Sequence, residues 1–167
     1  ELRRHQPEWQ ALGLAARADA MRRLADAFRS RRDELISVLM TDTGRLAQSV
    51  LEVDAITPMI QLQIEFAKAV LAEQLPQTSF YPSITARSQL IPFPLVGIIS
   101  PWNFPLAIFL GQVAAALAAG NTVIAKPAEQ TNLIGHAAVQ LLHEAGIPRD
   151  VLQYLPGDGA TVGAALT

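Results

Sequence analysis

The chain has 167 residues, of which 50% are hydrophobic and 17% are charged, and it contains no cysteine. This composition is typical of a globular chain with a sizeable core, and the missing cysteine excludes a disulfide framework and a thiolate metal site. The three histidines are scattered, so we expect no metal. A net charge of −2 argues against nucleic acid as a partner. With no run long enough to span a membrane and no signal peptide, we expect cytoplasmic residence.

Residues 1–74 are predicted to form a helical segment. Residues 1–13 are a loosely patterned lead-in. Apolar residues at three- to four-residue spacing then predict an amphipathic helix from Ala16, followed by a second apolar stripe that stops at Gly44. The same spacing predicts a long helix from about Leu46 to Ala72.

Several arginines of this region could be taken for a basic patch: Arg17, Arg22, Arg23, Arg29, Arg31 and Arg32. Acidic residues interleave with them along the helices. We therefore interpret the arginines as charges on a solvated helix face, and a nucleic-acid surface is the weaker alternative.

Residues 75–94 are predicted to form an extended, β-like arm. The stretch alternates in hydropathy and carries four prolines, which are typical of an irregular edge strand. Residues 95–167 then predict a sheet with covering helices, and this part begins with a βαβ unit.

In that unit, Leu95–Ser100 is a short apolar run rich in branched residues, typical of a strand buried on both faces. The prolines that follow lack an N–H and prevent the strand from continuing. Leu106–Ala119 predicts a buried helix, Gly120 ends it, and Thr122–Lys126 predicts a second buried strand. A parallel crossover between the strands is the expected topology.

The remaining residues continue the alternation. Thr131 is predicted to be the N-cap of a helix over Leu133–Ala145. Val151–Leu155 predicts a third strand, and a glycine-containing turn leads into a last helix near Ala160.

Polar residues follow the first two strands at their carboxyl ends, where open parallel sheets bind ligands. Trp102 and Asn103 follow the first strand, and Lys126 and Glu129 follow the second. The sequence therefore predicts that two polar clusters converge on one edge of an apolar scaffold.

The stretch SPWNFPLAIFLGQVAAALAAGNTVIAKPAEQT, from Ser100 to Thr131, resembles the N-terminal signature of the aldehyde dehydrogenase superfamily. Within it, FPLAIF, GQVAAALAAGN and AKPAEQT most resemble the glutamate-semialdehyde (pyrroline-5-carboxylate) dehydrogenase module of the bifunctional proline utilisation A enzymes. The resemblance runs from Ala16 to the last residue. The earlier segment MTDTGRLAQSVLEVD is more similar to aldehyde dehydrogenases of other substrate classes.

The resemblance implies an α/β fold with a partial Rossmann-like parallel sheet, covering helices, N-terminal helices and an extended arm that helps to join subunits. It also implies that Asn103 donates its amide N–H to the oxyanion that forms on the aldehyde carbonyl. The alternative is that Asn103 only hydrogen-bonds the turn between two prolines.

The resemblance further implies a nicotinamide cofactor site. Ile99, Ser100 and Trp102 would line the pocket, and Lys126 and Glu129 would hold the adenosine ribose hydroxyls. A negative Glu129 near the 2′ position would repel a 2′-phosphate, so NAD is favoured over NADP. A surface Lys–Glu contact of small energy is the alternative for this pair.

The segment Gly157–Gly163 lies between a strand and a helix and mimics a dinucleotide fingerprint. A reading from the pattern alone places the pyrophosphate on the helix N-terminus. The resemblance implies instead that Pro156, Gly157 and Gly163 flank the adenine and that a later turn meets the pyrophosphate.

The family reaction also needs a cysteine nucleophile and a glutamate base, which lie further along in the family. We therefore expect the N-terminal part of an NAD(P)-dependent aldehyde dehydrogenase that is inactive by itself and homo-oligomeric at full length. L-Glutamate γ-semialdehyde is the favoured aldehyde substrate. The alternatives are a general or succinate-semialdehyde enzyme, or a non-catalytic truncated paralogue.

Overall fold

The computed structural model describes residues 1–72 and 88–167. The α-helices and strands within these residues are α1 (Leu2–Ala11), α2 (Gly13–Ser30), α3 (Arg32–Thr43), α4 (Leu46–Leu71), β1 (Val96–Ile99), α5 (Ala107–Ala118), β2 (Val123–Lys126), α6 (Asn132–Glu144), β3 (Leu152–Tyr154) and α7 (Ala164–Leu166). A single 3₁₀ turn, Glu129–Thr131, precedes α6, and a π-helical turn, Gly159–Gly163, precedes α7.

The strands form a parallel sheet in the order β1-β2-β3. In its register Ile99 lies beside Lys126, and Ala125 lies beside Tyr154. Val123 and Ala125 of the central strand are fully buried, which explains why its sequence is a short apolar run. The predicted α/β class with a partial parallel sheet and covering helices is thus confirmed.

The core lies between the sheet and the helices. Helix α5 packs on α4 and on strands β1 and β2, and its Phe109 and Leu117 are fully buried. Ile56 and Ile60 of α4 meet this layer and are also fully buried. Burial of each such side chain contributes about 1.5–3 kcal/mol to the free energy of folding. This packing fixes the position of α5 relative to α4 and the sheet.

The lead-in differs from the prediction, because most of residues 1–13 form helix α1. Its sequence contains Pro7, which removes one helical hydrogen bond. Tertiary contacts compensate: the indole N–H of Trp9 donates to the carbonyl of Leu117 at 3.0 Å, and Gln6 donates to the carbonyl of Gly120 at 3.1 Å. The helix is therefore stabilised by the end of α5, which the local pattern does not reveal.

The interpretation of the arginines as a solvated face is wrong for Arg17. This side chain is only 5% exposed, and its Nε donates to the carbonyl of Ala118 at 3.1 Å. Burial lowers the pKa of Arg17 from its ordinary value. Arg23 donates in the same way to the carbonyl of Ala145 at 2.9 Å, so two arginines of α2 cap the C-termini of α5 and α6.

The predicted arm lies mostly outside the described residues. Of the predicted arm, residues 88–94 are described: Ser88 makes an isolated β-bridge, and residues 89–94 carry no strand. This part is tied to the turn between α5 and β2, since the backbone N–H of Phe93 donates to Oδ1 of Asn121 at 2.7 Å and Thr122 donates to the carbonyl of Pro94 at 2.6 Å. Among the described helices, none has the length and apolar character that crossing a bilayer requires.

Candidate functional site

Two cavities adjoin at the carboxyl edge of the sheet. The first, here called the edge groove, has a volume of about 480 Å³ and is lined by Ser100, Trp102, Lys126, Glu129, Asp158 and Gly159, among others. The second, here called the turn pocket, has a volume of about 330 Å³ and is lined by Asp42, Arg45, Gln48, Trp102 and Asn103, among others. Trp102 and Gln130 line both cavities. Asn103 and Lys126 thus lie on adjoining cavities that meet at the indole.

Lys126 ends β2 and is 3% exposed. Its Nζ donates to the carbonyl of Pro127 at 2.9 Å, and the backbone of Gly163 lies against its aliphatic chain. A Cβ placed on Gly163 would come within 3.8 Å of Cε of Lys126. Strand β2 therefore places the ammonium group of Lys126 in the lining of the edge groove, and packing fixes the aliphatic part of the lysine side chain.

Glu129 links the two loops that border the groove. Its Oε2 accepts the backbone N–H of Gly159 at 3.1 Å, so the loop after β2 is joined to the loop after β3. Asp158 caps the following turn by accepting from the backbone N and the hydroxyl of Thr161, both at 2.7 Å. These bonds lower the pKa of Asp158. Glu129 and Asp158 bring two carboxylates to the groove, and Lys126 brings one ammonium.

The end of β1 forms the opposite wall. The hydroxyl of Ser100 is buried and finds no hydrogen-bond partner among residues 1–72 and 88–167, although its backbone N–H donates to the carbonyl of Lys126 at 3.1 Å. Trp102 is 55% exposed and Ile99 is 47% exposed. An exposed apolar surface therefore lies beside a buried hydroxyl that has no partner among the described residues.

Pro156 and Gly157 follow β3 at the same edge. Pro156 is exposed. Gly157 has φ +155°, and a Cβ built on it would lie 2.3 Å from Cγ2 of Val162. Only glycine fits this position without displacing the loop that carries Asp158.

Asn103 lies in the turn between β1 and α5. Its backbone carbonyl accepts a hydrogen bond from Nε2 of Gln48. Its side chain is exposed, and within the described part of the chain its amide has no protein hydrogen-bond partner. The amide is therefore free to donate into the turn pocket.

Sequence reasoning missed the two residues that hold this turn, Gln48 and Glu52 of α4. Glu52 is fully buried, and its Oε2 accepts the backbone N–H groups of Leu106 and Ala107, both at 3.0 Å. The sequence did contain an indication of this role for Glu52, because a charged residue there lies on the apolar face of α4, one helical turn before Ile56. A carboxylate on a buried helix face needs donors, and here the donors belong to α5.

Asp42 caps α6 from a distant part of the chain. Thr131 occupies the N-cap position as predicted, but its hydroxyl makes no bond within the described residues. Oδ2 of Asp42 instead accepts the backbone N–H of Ile134 at 2.9 Å. Burial raises the pKa of Asp42, and hydrogen bonds from the α6 backbone oppose that rise. Burial and the nearby charge of Asp42 together raise the pKa of Tyr154 to about 12.

The described residues contain no group of three or more His, Asp or Glu side chains placed to hold a metal ion. The chemistry that the two cavities offer is therefore that of hydrogen-bond donors, carboxylates and an indole face. This set is suited to a polar organic ligand.

Polar side chains gathered beyond the carboxyl ends of parallel strands are the arrangement in which open α/β domains bind ligands. The model of the aldehyde dehydrogenase family matches residues 2–167. The chain therefore belongs to the aldehyde dehydrogenase family.

Curated relatives and solved structures agree with this membership. The bifunctional protein PutA of Escherichia coli is 42% identical over 162 residues, which are 96% of this chain and 11% of that protein. The 1-pyrroline-5-carboxylate dehydrogenase of Anoxybacillus flavithermus is 39% identical over 158 residues, which are 93% of this chain and 30% of that protein. The NAD-dependent benzaldehyde dehydrogenase of Corynebacterium glutamicum superposes with a TM-score of 0.88 at 29% identity, over 98% of this chain and 36% of that one. The chain thus spans between about a tenth and a third of their length.

Proposed function

We propose that this chain supplies the N-terminal part of an NAD-dependent aldehyde dehydrogenase that oxidises an aldehyde to a carboxylate. The observation that carries the proposal is that Asn103 and Lys126 lie on adjoining cavities that meet at Trp102. L-Glutamate γ-semialdehyde is the favoured substrate, because relatives named PutA and 1-pyrroline-5-carboxylate dehydrogenase are about 40% identical to the chain.

The residues of the edge groove fit a nicotinamide dinucleotide. Lys126 and Glu129 offer a donor and an acceptor, as vicinal ribose hydroxyls require, and the buried hydroxyl of Ser100 still lacks a partner among the described residues. The exposed indole of Trp102 offers an apolar wall. Ile99 would contribute through its backbone only.

The charges of the groove favour NAD over NADP. Two carboxylates, those of Glu129 and Asp158, line it together with the single ammonium of Lys126. A 2′-phosphate close to these carboxylates would be repelled. NADP is therefore the weaker alternative.

The glycine-rich turn is a poor pyrophosphate site, although its pattern mimics one. The carboxylate of Asp158 already accepts the backbone N–H of Thr161, which a bound phosphate would otherwise use. A dianionic pyrophosphate would also meet the charge of Asp158. We therefore propose that Pro156, Gly157 and Gly163 lie on the adenine side.

NAD, when bound, accepts the hydride that leaves the aldehyde carbon. The part of this chain in that chemistry is the Asn103 amide, which would donate to the carbonyl oxygen as negative charge develops there. Such a donor is worth about 3–4 kcal/mol of the barrier. The chain contains no cysteine, so the nucleophile of the full-length protein must lie outside these residues.

Kinetics of Asn103→Ala in the full-length product of the gene test the proposal. We expect kcat for aldehyde oxidation to fall by about 10²–10³, because the oxyanion loses its donor, while the Kd for NAD stays unchanged. A panel that includes glutamate γ-semialdehyde and succinate semialdehyde decides the substrate class. Full-length protein that oxidises no aldehyde, or that contains no cysteine, would support the non-catalytic alternative.

We also propose that the chain divides into residues 1–74, 75–94 and 95–167. The full-length protein is proposed to be a homo-oligomer. The strands β1, β2 and β3 all lie in the last of these ranges, and helices α1–α4 lie in the first. Light scattering on the full-length protein measures the oligomeric state directly.

A further inference from the structure

We infer that Gln48 and Glu52 are positioning residues that hold the Asn103 turn and thereby fix the direction of its amide. The inference rests on the proposed role of Asn103 and extends it to side chains that lie 55 and 54 residues away in sequence from the groups they bind.

The only local backbone hydrogen bond among the described residues that joins this turn to the start of α5 runs from Ile108 to the carbonyl of Phe104, and it leaves the N–H groups of Leu106 and Ala107 without a local acceptor. Pro101 and Pro105 carry no N–H, and Leu106 at the N-cap position provides no side-chain acceptor. A helix start leaves its first N–H groups without partners, and an apolar N-cap leaves them unsatisfied. The cap must therefore come from another element.

Glu52 supplies that cap from α4. One carboxylate oxygen accepts both N–H groups at the start of α5, at 3.0 Å from Leu106 and 3.0 Å from Ala107. The side chain is fully buried, so water does not compete for these bonds. A negative charge at a helix N-terminus is also favoured by the helix dipole.

Gln48 extends this cap to Asn103. It lies one helical turn before Glu52, and its Nε2 donates to Oε1 of Glu52 at 3.0 Å. The same Nε2 donates to the backbone carbonyl of Asn103. The two hydrogens of one amide nitrogen thus connect the buried carboxylate to the turn, and the side chains of Gln48 and Glu52 are both anchored on helix α4.

The bonds that join Glu52, Gln48 and the carbonyl of Asn103 require an amide at position 48 and a carboxylate at position 52. With Gln48→Glu, a carboxylate would face two acceptors and repel both. With Glu52→Gln, the new side chain would keep its oxygen on the N–H groups of Leu106 and Ala107 and would turn its NH₂ group towards the amide of Gln48. Gln48 would then rotate its amide to present oxygen, and its bond to Asn103 would be lost.

Gln48→Met in the full-length gene product is the primary test, because methionine keeps the length of the side chain without its donors. Gln61→Met is the matched control, since Gln61 is exposed on the same helix. We expect faster amide exchange at Leu106 and Ala107 and a fall in kcat of about tenfold to a hundredfold, as small misplacements of catalytic groups produce. The Kd for NAD should match that of the control, whereas the thermal midpoint should fall modestly, because Oε1 of the buried Glu52 loses its donor.

A double-mutant cycle with Asn103→Ala separates positioning from general stability. If Gln48 acts through Asn103, Gln48→Met should cause little further loss of kcat in the Asn103→Ala background. An equal loss in both backgrounds overturns the inference, and so does amide exchange that is unchanged in Gln48→Met.

The failure of the proposed function has a different signature. If Asn103→Ala alone leaves kcat unchanged, the oxyanion role of Asn103 is wrong. The exchange rates at Leu106 and Ala107 still decide whether Gln48 and Glu52 hold the turn.

Discussion

Gly157→Ala should destabilise the loop after β3 and weaken cofactor binding. Gly157 has φ +155°, a conformation that side chains of L-residues rarely adopt. A Cβ at this position would lie 2.3 Å from Cγ2 and 2.9 Å from Cβ of Val162. Both distances are below van der Waals contact, and the branched valine has little freedom to rotate away.

The expected cost has two parts. The positive φ contributes about 1–3 kcal/mol for a residue other than glycine. The overlap with Val162 contributes about 1–3 kcal/mol, as overpacking of a well-filled site does. The free energy of unfolding should therefore fall by about 2–6 kcal/mol, unless the loop shifts. A shift would move Asp158 and Gly159, which line the edge groove, so the Kd for NAD should rise.

Urea denaturation followed by tryptophan fluorescence measures the first effect, because Trp9 is 3% exposed and reports on the core. Gly159→Ala is the matched control: it lies two residues further on, and nothing stands within 4 Å of its built Cβ. The control should be neutral or stabilising by about 0.4–1 kcal/mol.

The double variant Gly157→Ala/Val162→Ala separates the two parts. It should recover the overlap cost and leave the backbone cost. A Gly157→Ala variant that is as stable as Gly159→Ala, and that binds NAD as tightly as the unsubstituted protein does, would refute a cost from the backbone angle and the overlap.

Two further predictions concern charged groups. Lys126→Met should raise the Kd for NAD, measured by calorimetry, about tenfold or more. Lys68→Met, on the exposed end of α4, is the control and should leave this Kd unchanged. Equal affinities of the two variants would contradict the assignment of Lys126 to the ribose. The folded-state pKa of Asp42 is raised above its unfolded value, so the folded chain binds this proton more tightly, and stability should fall as pH rises from about 4 through the raised pKa. Asp42→Asn keeps an acceptor for Ile134 and should flatten that decline in denaturation measured across the same pH range, whereas parallel curves would contradict the assignment.

The sequence alone predicted the elements whose signals are local. Short branched apolar runs marked β1 and β2 as strands. The prediction that both are buried on two faces is confirmed for β2 but wrong for β1, because no strand among the described residues pairs with the outer side of β1 and Ile99 is 47% exposed. Gly120 was predicted to end α5, and it has φ +95° in the structure. The resemblance at residues 100–131 pointed to the family that the comparison confirmed. The sequence also predicted that Trp102 and Asn103 would lie near Lys126 and Glu129, because the carboxyl ends of neighbouring parallel strands meet at one edge of the sheet.

Contacts between distant parts of the chain were beyond the reach of sequence patterns. Asp42 caps a helix that begins 90 residues later, and Glu52 caps one that begins 55 residues later. The same holds for Arg17, which looks like a surface charge in its own helix and is buried against the end of α5. Helix periodicity identifies which face a residue occupies, but not which element packs against that face.

Sequence therefore determined the strands, the α/β class and the residues that reach the carboxyl edge, because backbone hydrogen bonding and apolar burial act over a few neighbouring positions. Tertiary structure decided how the Asn103 turn is held and which carboxylates share the groove with Lys126. Those features depend on donors and acceptors that meet only after α4 has packed on α5 and the loop after β3 has closed on Glu129. The physical reason is that a buried polar group takes its partner from whichever element folding places beside it.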